Sequence, residues 1–399
     1  MRPTPSATPA AVSAVRAGRR SKFRQTRETQ VTNPHIATLS DGMEPNRNAI
    51  LKALERVIDP ELRRPVTELD MVRDVEIDGG DVRVTIALTV AGCPLRDSFQ
   101  DQVAEVMRDV PGVERVALGF DVMTPEERQA LTTKLRGGVQ ERSKGLSLDA
   151  ATRVLAVCSG KGGVGKSTLT ANLAVAFAEK GKQVGILDAD VYGHSIPHLL
   201  GIRQKPVLVD KMIVPPVKHE LKLMSIGFFL DDNQPVMWRG PMLHRALEQF
   251  LSDVHWGELD ILVVDMPPGT GDVAISLGQL LPRAETIVVT TPQPAAQEVA
   301  SRAGAMAQKT GMRLVGVVEN MTGEVFGSGG GERLAAELGI PLFGRVLLDP
   351  LLRECGDAGE PLLTAEPDSE SAEELRRIAD SVMTLERGGI VKPLTLVSR

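Results

Sequence analysis

Between an apolar run ending at Ser159 and an Ala-rich run beginning at Ser167, the chain reads Gly160-Lys161-Gly162-Gly163-Val164-Gly165-Lys166-Ser167. The spacing G-x-x-x-x-G-K-[ST] is that of a phosphate-binding loop. Its glycines let successive backbone N–H groups curl around a polyphosphate. Lys166 can reach the β and γ oxygens, and Ser167 offers a hydroxyl to Mg²⁺. A helix starting at Ser167 points its positive end at the same anion, and Thr168 in its first turn is counted with the loop. Two sets of carboxylates could complete the chemistry of phosphoryl transfer. Val263-Val264-Asp265 is an apolar run ending in an acid, the position from which Mg²⁺ is held through water. Asp188-Ala189-Asp190 closes a second such run. Asp190 there can orient an attacking water, whereas Asp188 reads equally well as a capping acid at a strand exit.

These residues need strands that end together and helices that start there. From Val154 the chain alternates in that way. Short apolar strands read at Val154–Cys158, Val184–Asp188, Leu259–Asp265, Thr286–Thr290 and Leu314–Val318, with helices at Ser167–Lys180, Met242–Asp253 and Ala296–Thr310. Near-continuous apolar strands separated by helices imply a mostly parallel sheet covered by helices on both faces, an α/β P-loop NTPase fold. Val207–Ser225, around Pro215-Pro216, breaks the rhythm and reads as an inserted hairpin or meander. Near the C-terminus, Leu375, Ile378, Val382 and Leu385 form one apolar stripe, as expected of a helix docked on its own sheet.

Ahead of this lies a small α+β unit, residues 43–122. Ile50, Leu51, Leu54, Val57 and Ile58 have helical spacing over Arg47–Ile58. Val72–Ile77 reads as a strand and Asp78-Gly79-Gly80 as its turn. Val82 to Val90 alternates with period two. A helix follows on Leu95, Phe99, Val103 and Met107, and a strand over Val113–Phe120. Residues 123–151 read as a short helix and linker, with Thr124 and Glu127 placed as a capping box around Pro125. Residues 152–399 form the P-loop domain.

Residues 1–42 carry seven Lys and Arg against two acids, a charge of +5, so the net −6 of the whole chain hides −11 in the remainder. Rich in Pro, Ser, Thr and Ala, this stretch is expected to be a disordered basic extension, either dispensable or the product of an upstream start. It has no apolar signal region, though its Arg-rich, acid-poor character also resembles a transit peptide. The acidic bulk is ill suited to phosphate contacts along a nucleic acid. With 3% aromatic residues there is also no stacking platform, so no nucleic-acid partner is expected. No run approaches the roughly 18 apolar residues of a membrane span. Three cysteines build no disulfide framework and suit the cytoplasm.

An ordinary phosphate loop does not need the extra cation at Lys161. Lys-Gly-Gly-Val-Gly-Lys-Ser resembles the deviant phosphate loop of the MinD/ParA/nitrogenase-iron-protein class. That resemblance implies an ATP-bound homodimer in which Lys161 reaches across to the partner's nucleotide. Asp188-Ala189-Asp190-Val191-Tyr192-Gly193, Trp238-Arg239-Gly240-Pro241-Met242, Asp265-Met266-Pro267-Pro268-Gly269-Thr270-Gly271-Asp272 and Glu319-Asn320-Met321 narrow the likeness. Together they resemble the Mrp/ApbC family over essentially all of 43–399, with Asn320 at the position that reads the adenine. Asp59-Pro60-Glu61 and Gly92-Cys93-Pro94-Leu95 resemble the metal–sulfur cluster biosynthesis domain often fused ahead of such ATPases. The family implies a dimeric cytosolic ATPase, with ATP and Mg²⁺ as cofactors. It binds iron–sulfur clusters, passes them to apoprotein clients and works beside cluster-assembly proteins.

The chain departs from that family in one respect. Many members carry Cys-x-x-Cys after the Asn-Met pair, but here Thr322-Gly323-Glu324-Val325-Phe326-Gly327 holds no thiol. Of the three cysteines, Cys158 reads as a buried apolar residue and Cys355 as structural. Cys93, between a strand and a helix N-terminus, reads either as a metal or cluster ligand or as a local turn residue. His194 and His198 are four apart, but Pro197 interrupts any helix that would bring them onto one face. A second function therefore stands beside the first: an ATP-driven positioning or scaffold switch of the MinD/ParA kind, without a cluster. The missing thiol pair favours the second; the Cys93 domain and the Trp238–Met242 motif favour the first.

Overall fold

The computed structural model describes residues 29–32, 45–90, 95–135, 148–149, 151–191, 193–229 and 240–386. The small unit opens with β1 (Thr29–Thr32), then α1 (Arg47–Leu54), β2 (Val72–Asp78), β3 (Asp81–Leu88), α2 (Arg96–Met107), β4 (Arg115–Val122) and α3 (Pro125–Leu135). Its sheet runs β1-β4-β3-β2, with β3 and β4 parallel and both outer pairs antiparallel.

Two expectations for this unit are corrected and a third is extended. The basic extension is not wholly without structure: Thr29–Thr32 pairs antiparallel with the free edge of β4, from Thr29↔Leu118 to Thr32↔Arg115. A four-residue stretch of β-prone Thr and Val is hidden by averaging composition over 42 residues. The first helix stops at Leu54 rather than Ile58. Val57 still keeps the buried face, but the Asp59 carboxylate accepts the N–H groups of Glu61 and Leu62 at 2.9 Å, and this turn draws the chain out of the helix. Finally, the short helix expected ahead of the linker forms as α3 and packs on the small unit. Its Leu131 enters the small unit's core, and its start is closed by the expected box: Thr124 N–H donates to Glu127 Oε2 at 2.7 Å and Glu127 N–H to Thr124 Oγ1 at 3.2 Å.

The large unit contains β5 (Arg153–Ser159), α4 (Lys166–Glu179), β6 (Val184–Asp188), α5 (Ile196–Leu199), β7 (Val207–Val209), β8 (Met212–Val214), β9 (Val217–Lys218) and β10 (Leu221–Ser225). It continues with α6 (Gly240–Ser252), β11 (Ile261–Asp265), α7 (Asp272–Leu280), β12 (Glu285–Thr290), α8 (Pro294–Lys309), β13 (Arg313–Thr322), α9 (Gly330–Leu338) and β14 (Leu342–Leu347). Three helices close it: α10 (Pro350–Ala358), α11 (Leu362–Ala365) and α12 (Glu370–Thr384). The sheet order is β14-β13-β12-β5-β11-β6-β10-β9, parallel throughout except for the short edge strand β9. Successive side chains of β5 alternate between two cores. Leu155 and Val157 pack toward α4 and α12, while Ala156 and Cys158 pack toward α6, α7 and α8. Both faces are covered, which is why the strands read as unbroken apolar runs. The C-terminal stripe docks as expected, with Leu375, Ile378 and Val382 fully buried against the α4 side of the sheet.

The stretch read as an insertion divides in two. β7 and β8 form a separate antiparallel hairpin, but β10 is an interior strand of the main sheet, parallel to β6 along its whole length. Five consecutive buried residues in Leu221–Ser225 carry that burial pattern. The hairpin in turn crosses to the other unit: Val209, Met212 and Val214 complete the small unit's core, and Thr132 Oγ1 donates to Val209 O at 3.2 Å. Among the described residues, no helix is long and apolar enough to cross a membrane.

Candidate nucleotide site

The order of the sheet puts β5 between β11 and β12, so the loop leaving β5 emerges where the C-terminal ends of three strands meet. Gly163 and Gly165 have φ of +79° and +80°, the left-handed backbone that glycine adopts at low cost, and Gly165 is the N-cap of α4. Gly160 is required for a different reason: a Cβ there would lie 2.1 Å from the backbone of Val299 in α8. The loop is thus folded for N–H groups to point inward, with the first turn of α4 behind them.

Lys166 is 5% exposed, and its Nζ lies 2.8 Å from Asp265 Oδ1, 3.4 Å from Asp190 Oδ2 and 3.4 Å from Ser167 Oγ. Ser167 Oγ donates to Asp265 Oδ2 at 2.6 Å. Thr170 Oγ1 stands 3.0 Å from Asp265 Oδ1, one helical turn beyond Lys166. Asp265 is fully buried; burial pushes its carboxyl up, opposed chiefly by the charge of Lys166 and then by hydrogen bonds from Lys166, Ser167 and Thr170. Asp188 is its register partner on the adjacent strand. Burial and then the charge of Asp265 push Asp188 up to about 8, while Ser225 Oγ, 2.8 Å from Oδ2, works the other way. Asp188 Oδ1 also accepts the Asp190 N–H at 3.3 Å. So Asp190 is the acid that reaches the lysine, and Asp188 is the buried acid that holds the turn beneath it.

The remaining residues of the set fall around this centre. Lys161, Gly162 and Gly163 are exposed at the loop's outer side, and the Lys161 carbonyl accepts from Ser159 Oγ at 3.0 Å. Val164 is buried, and its carbonyl accepts from Asn320 Nδ2 at 2.8 Å. Asn320, 2% exposed at the end of β13, therefore leans on the loop, while its Oδ1 is buried with no partner among the described residues. Thr168 is half-buried, its carbonyl bonded by Asn172 Nδ2 at 2.9 Å. The structure thus brings together Gly160–Thr168, Asp190, Asp265 and Asn320. Thr170 and Ser225 were not singled out from the sequence. Thr170 could have been, since it lies on the same helix face one turn after Lys166; Ser225 could not, because only the pairing of β10 with β6 places it beside Asp188.

Ser167 Oγ and Asp265 Oδ2 are two hard oxygen donors side by side, a donor set that fits Mg²⁺. Thiols fare differently. Cys158 is 2% exposed, and burial pushes its thiol up to about 12. Cys355, half-buried on α10, is also pushed up, first by burial and then by Glu366, Asp349 and Glu354. Neither environment favours a thiolate. Cys93, Tyr192, Trp238 and Arg239 lie outside the described residues. Directly after the Asn320-Met321 pair, a tight hairpin closes between Gly323 and Gly327, with reciprocal backbone hydrogen bonds of 3.1 and 2.7 Å and with Val325 and Phe326 exposed. Among the described residues, no group of three or more His, Cys, Asp or Glu could hold a metal ion on its own.

Comparison with known proteins supplies the family. Residues 150–383 match the model described as NUBPL iron-transfer P-loop NTPase, and residues 47–118 match that of an iron-sulfur cluster assembly protein. A protein of Mycobacterium leprae is 51% identical over 358 residues, covering 86% of this chain and 94% of its own length. One from Synechocystis is 41% identical over 351 residues, covering 84% and 96%. One from Bacillus subtilis is 43% identical over 311 residues, covering 75% and 87%. Each of the three is named an iron-sulfur cluster carrier protein.

Proposed function

The chain belongs to the NUBPL iron-transfer P-loop NTPase family, and from that premise we propose that it is an Mg²⁺-dependent ATPase whose homodimer carries iron–sulfur clusters to apoproteins in the cytoplasm. One observation carries the ATPase half: Lys166, Ser167, Asp190 and Asp265 converge at the head of α4. In this reading the N–H groups of Gly160–Gly165 cradle the phosphates. Lys166 leaves the carboxylates to face the β and γ oxygens, where its charge stabilises the transferring phosphoryl group. Ser167 and Asp265 would hold Mg²⁺, which when bound neutralises charge between the β- and γ-phosphates. Asp190 orients the attacking water, freed for that task as Lys166 turns to the phosphates. Asn320 offers its unpaired Oδ1 to the base amino group. Lys161, exposed at the outer rim, is available to the partner subunit's nucleotide, so that ATP closes the dimer and hydrolysis releases it.

The cargo half rests on family membership and on the fused small unit. With Cys158 and Cys355 set against thiolate formation, we assign the cargo thiol to Cys93. Two copies give two thiolates where a cluster normally takes four, so the remaining ligands would come from outside the chain, which suits a cluster that must be released. The thiol-free hairpin at Gly323–Gly327 favours the second reading, a nucleotide switch with no cluster.

The first experiment tests the ATPase that both readings share, and the second separates them. Lys166→Ala is expected to abolish turnover; survival of turnover would remove the phosphate-loop assignment. Anaerobic reconstitution, with iron and sulfide counted per dimer, is expected to load wild type and Cys355→Ala but not Cys93→Ala. A wild-type protein that takes up no cluster leaves the switch.

A further inference from the structure

Asp59-Pro60-Glu61 takes no part in the phosphate site, yet it is buried where the two units meet. Asp59 is 4% exposed and Glu61 8%, and on β10 Lys222 is 3% exposed. Lys222 Nζ donates to Trp256 O at 3.0 Å. Arg63 Nη2, from the small unit, donates at 2.7 Å to the carbonyl of Glu220, the residue before β10. Burial pushes the Lys222 ammonium down to about 8, with the charge of Arg63 adding to this and that of Asp59 opposing it. Nearby, Val209, Met212 and Val214 fill the small unit's core. The junction is apolar with charges at its centre, and those charges sit on a strand of the main sheet.

That strand leads to the phosphate site. β10 is paired in parallel with β6 from Leu221↔Val184 to Ser225↔Asp188. Lys222 and Ser225 are about 10 Å apart at ~3.3 Å per residue, along a strand bonded rung by rung to its neighbour. A shift at one is therefore felt at the other. Ser225 Oγ lies 2.8 Å from Asp188 Oδ2 and accepts the Gly227 N–H at 3.1 Å. Asp188 Oδ1 accepts the Asp190 N–H, and Asp190 is the acid 3.4 Å from Lys166.

We propose that Lys222 and Ser225 are positioning residues that couple the small unit to the hydrolytic site: Arg63 docked on the Glu220 carbonyl fixes the start of β10, buried Lys222 anchors that strand to Trp256, and Ser225 passes its register to the Asp188–Asp190 turn. The proposal rests on the reading of Gly160–Ser167 as an ATP site. Such a coupling is reciprocal for binding: nucleotide that draws Lys166 away from Asp190 biases the docking of the small unit. Undocking in turn loosens Asp190 while leaving the loop's own contacts with nucleotide intact.

Hydrogen exchange on the full chain, with and without ATP and Mg²⁺, tests this directly. In wild type, exchange across Asp59–Arg64 and Leu221–Ser225 should change by about threefold or more on adding nucleotide. Ser225→Ala should keep its ATP affinity within about twofold, lose the response at Asp59–Arg64, and lower kcat with little change in KM. Ser225→Thr, which restores the hydroxyl, should recover both. If Ser225→Ala fails to fold, Lys222→Met and Lys222→Arg take its place, the first losing the response and the second retaining it. A wild-type chain that binds and hydrolyses ATP with no change at Asp59–Arg64 overturns the proposal, as does a full response in Ser225→Ala or Lys222→Met. A wild-type chain that binds no ATP overturns instead the reading of the phosphate site on which the proposal stands.

Discussion

Lys166 and Lys222 are both buried, but their partners differ in kind. Lys166 is held by side chains: Asp265 and Asp190 carboxylates and the Ser167 hydroxyl, all within 3.4 Å. Lys222 is held by the backbone carbonyl of Trp256, while Asp59 is satisfied by the N–H groups of Glu61 and Leu62. In the first cluster each group can exchange its partner for a phosphate oxygen or a metal without leaving a backbone group stranded. In the second, each charge is fixed within its own unit and meets the other only electrostatically. The first arrangement is suited to turnover and the second to holding two units in register. A buried ion pair contributes little net stability, so the first cluster is better explained by position than by energy.

The difference can be attacked from the first cluster, beginning with the largest expected effect. Asp265→Ala removes the partner of Lys166, Ser167 and Thr170 together, and turnover should fall by about 10³-fold or more, with the loss not recovered by raising Mg²⁺. A residual rate that saturates normally with Mg²⁺ would show that Asp265 serves only to hold the lysine. Asp190→Asn keeps the size and one oxygen but not the charge; kcat should drop by about 10²-fold with KM for ATP nearly unchanged. A raised KM at constant kcat would move Asp190 from water positioning to nucleotide binding. Lys161→Ala should leave ATP binding by the isolated chain within about twofold, because this residue is exposed and away from the central carboxylates, while turnover falls by about tenfold and ATP no longer promotes dimers on a sizing column.

The two clusters also differ in how far they could be read beforehand. The phosphate loop is a contiguous motif whose glycines and lysine have local geometric reasons, and the acids that serve it end strands, so strand prediction alone places them. Asp265 and Asp190 needed only the knowledge that parallel strands end on one side. Lys222 and Ser225 needed the sheet order. The run Val207–Ser225, broken by Pro215-Pro216, reads as a meander, and nothing in its composition says that its last five residues lie beside β6. Residues Thr29–Thr32 escaped for a similar reason: the strand is short and its partner edge on β4 lies 83 or more residues away in the chain. Local chemistry was legible; which strand edge receives which segment is settled by long-range pairing that no short window contains.

The smallest expected effect belongs to the second cluster and is read through pH. Glu61 is pushed up to about 7 by burial and then by the charge of Asp59, from an ordinary value of 4.5. Asp59 is pushed up as well, by burial. A carboxyl raised in the folded chain binds its proton more tightly there than when unfolded. Its contribution to stability is therefore complete below about pH 4.5 and is lost as pH rises through 7. Lys222, lowered to about 8 from 10.5, acts in another window: between these values the unfolded chain binds more protons, so stability recovers as pH rises through it. The melting temperature should thus decline between pH 5 and 7.5 by roughly 5 °C and then recover as pH rises above 8. In Glu61→Gln, which keeps the shape and cannot ionise, the decline should shrink to the part owed to Asp59. A slope identical to that of wild type would mean that Glu61 stays ionised and solvated at the junction, and the second cluster would then be no more than a surface contact between the units.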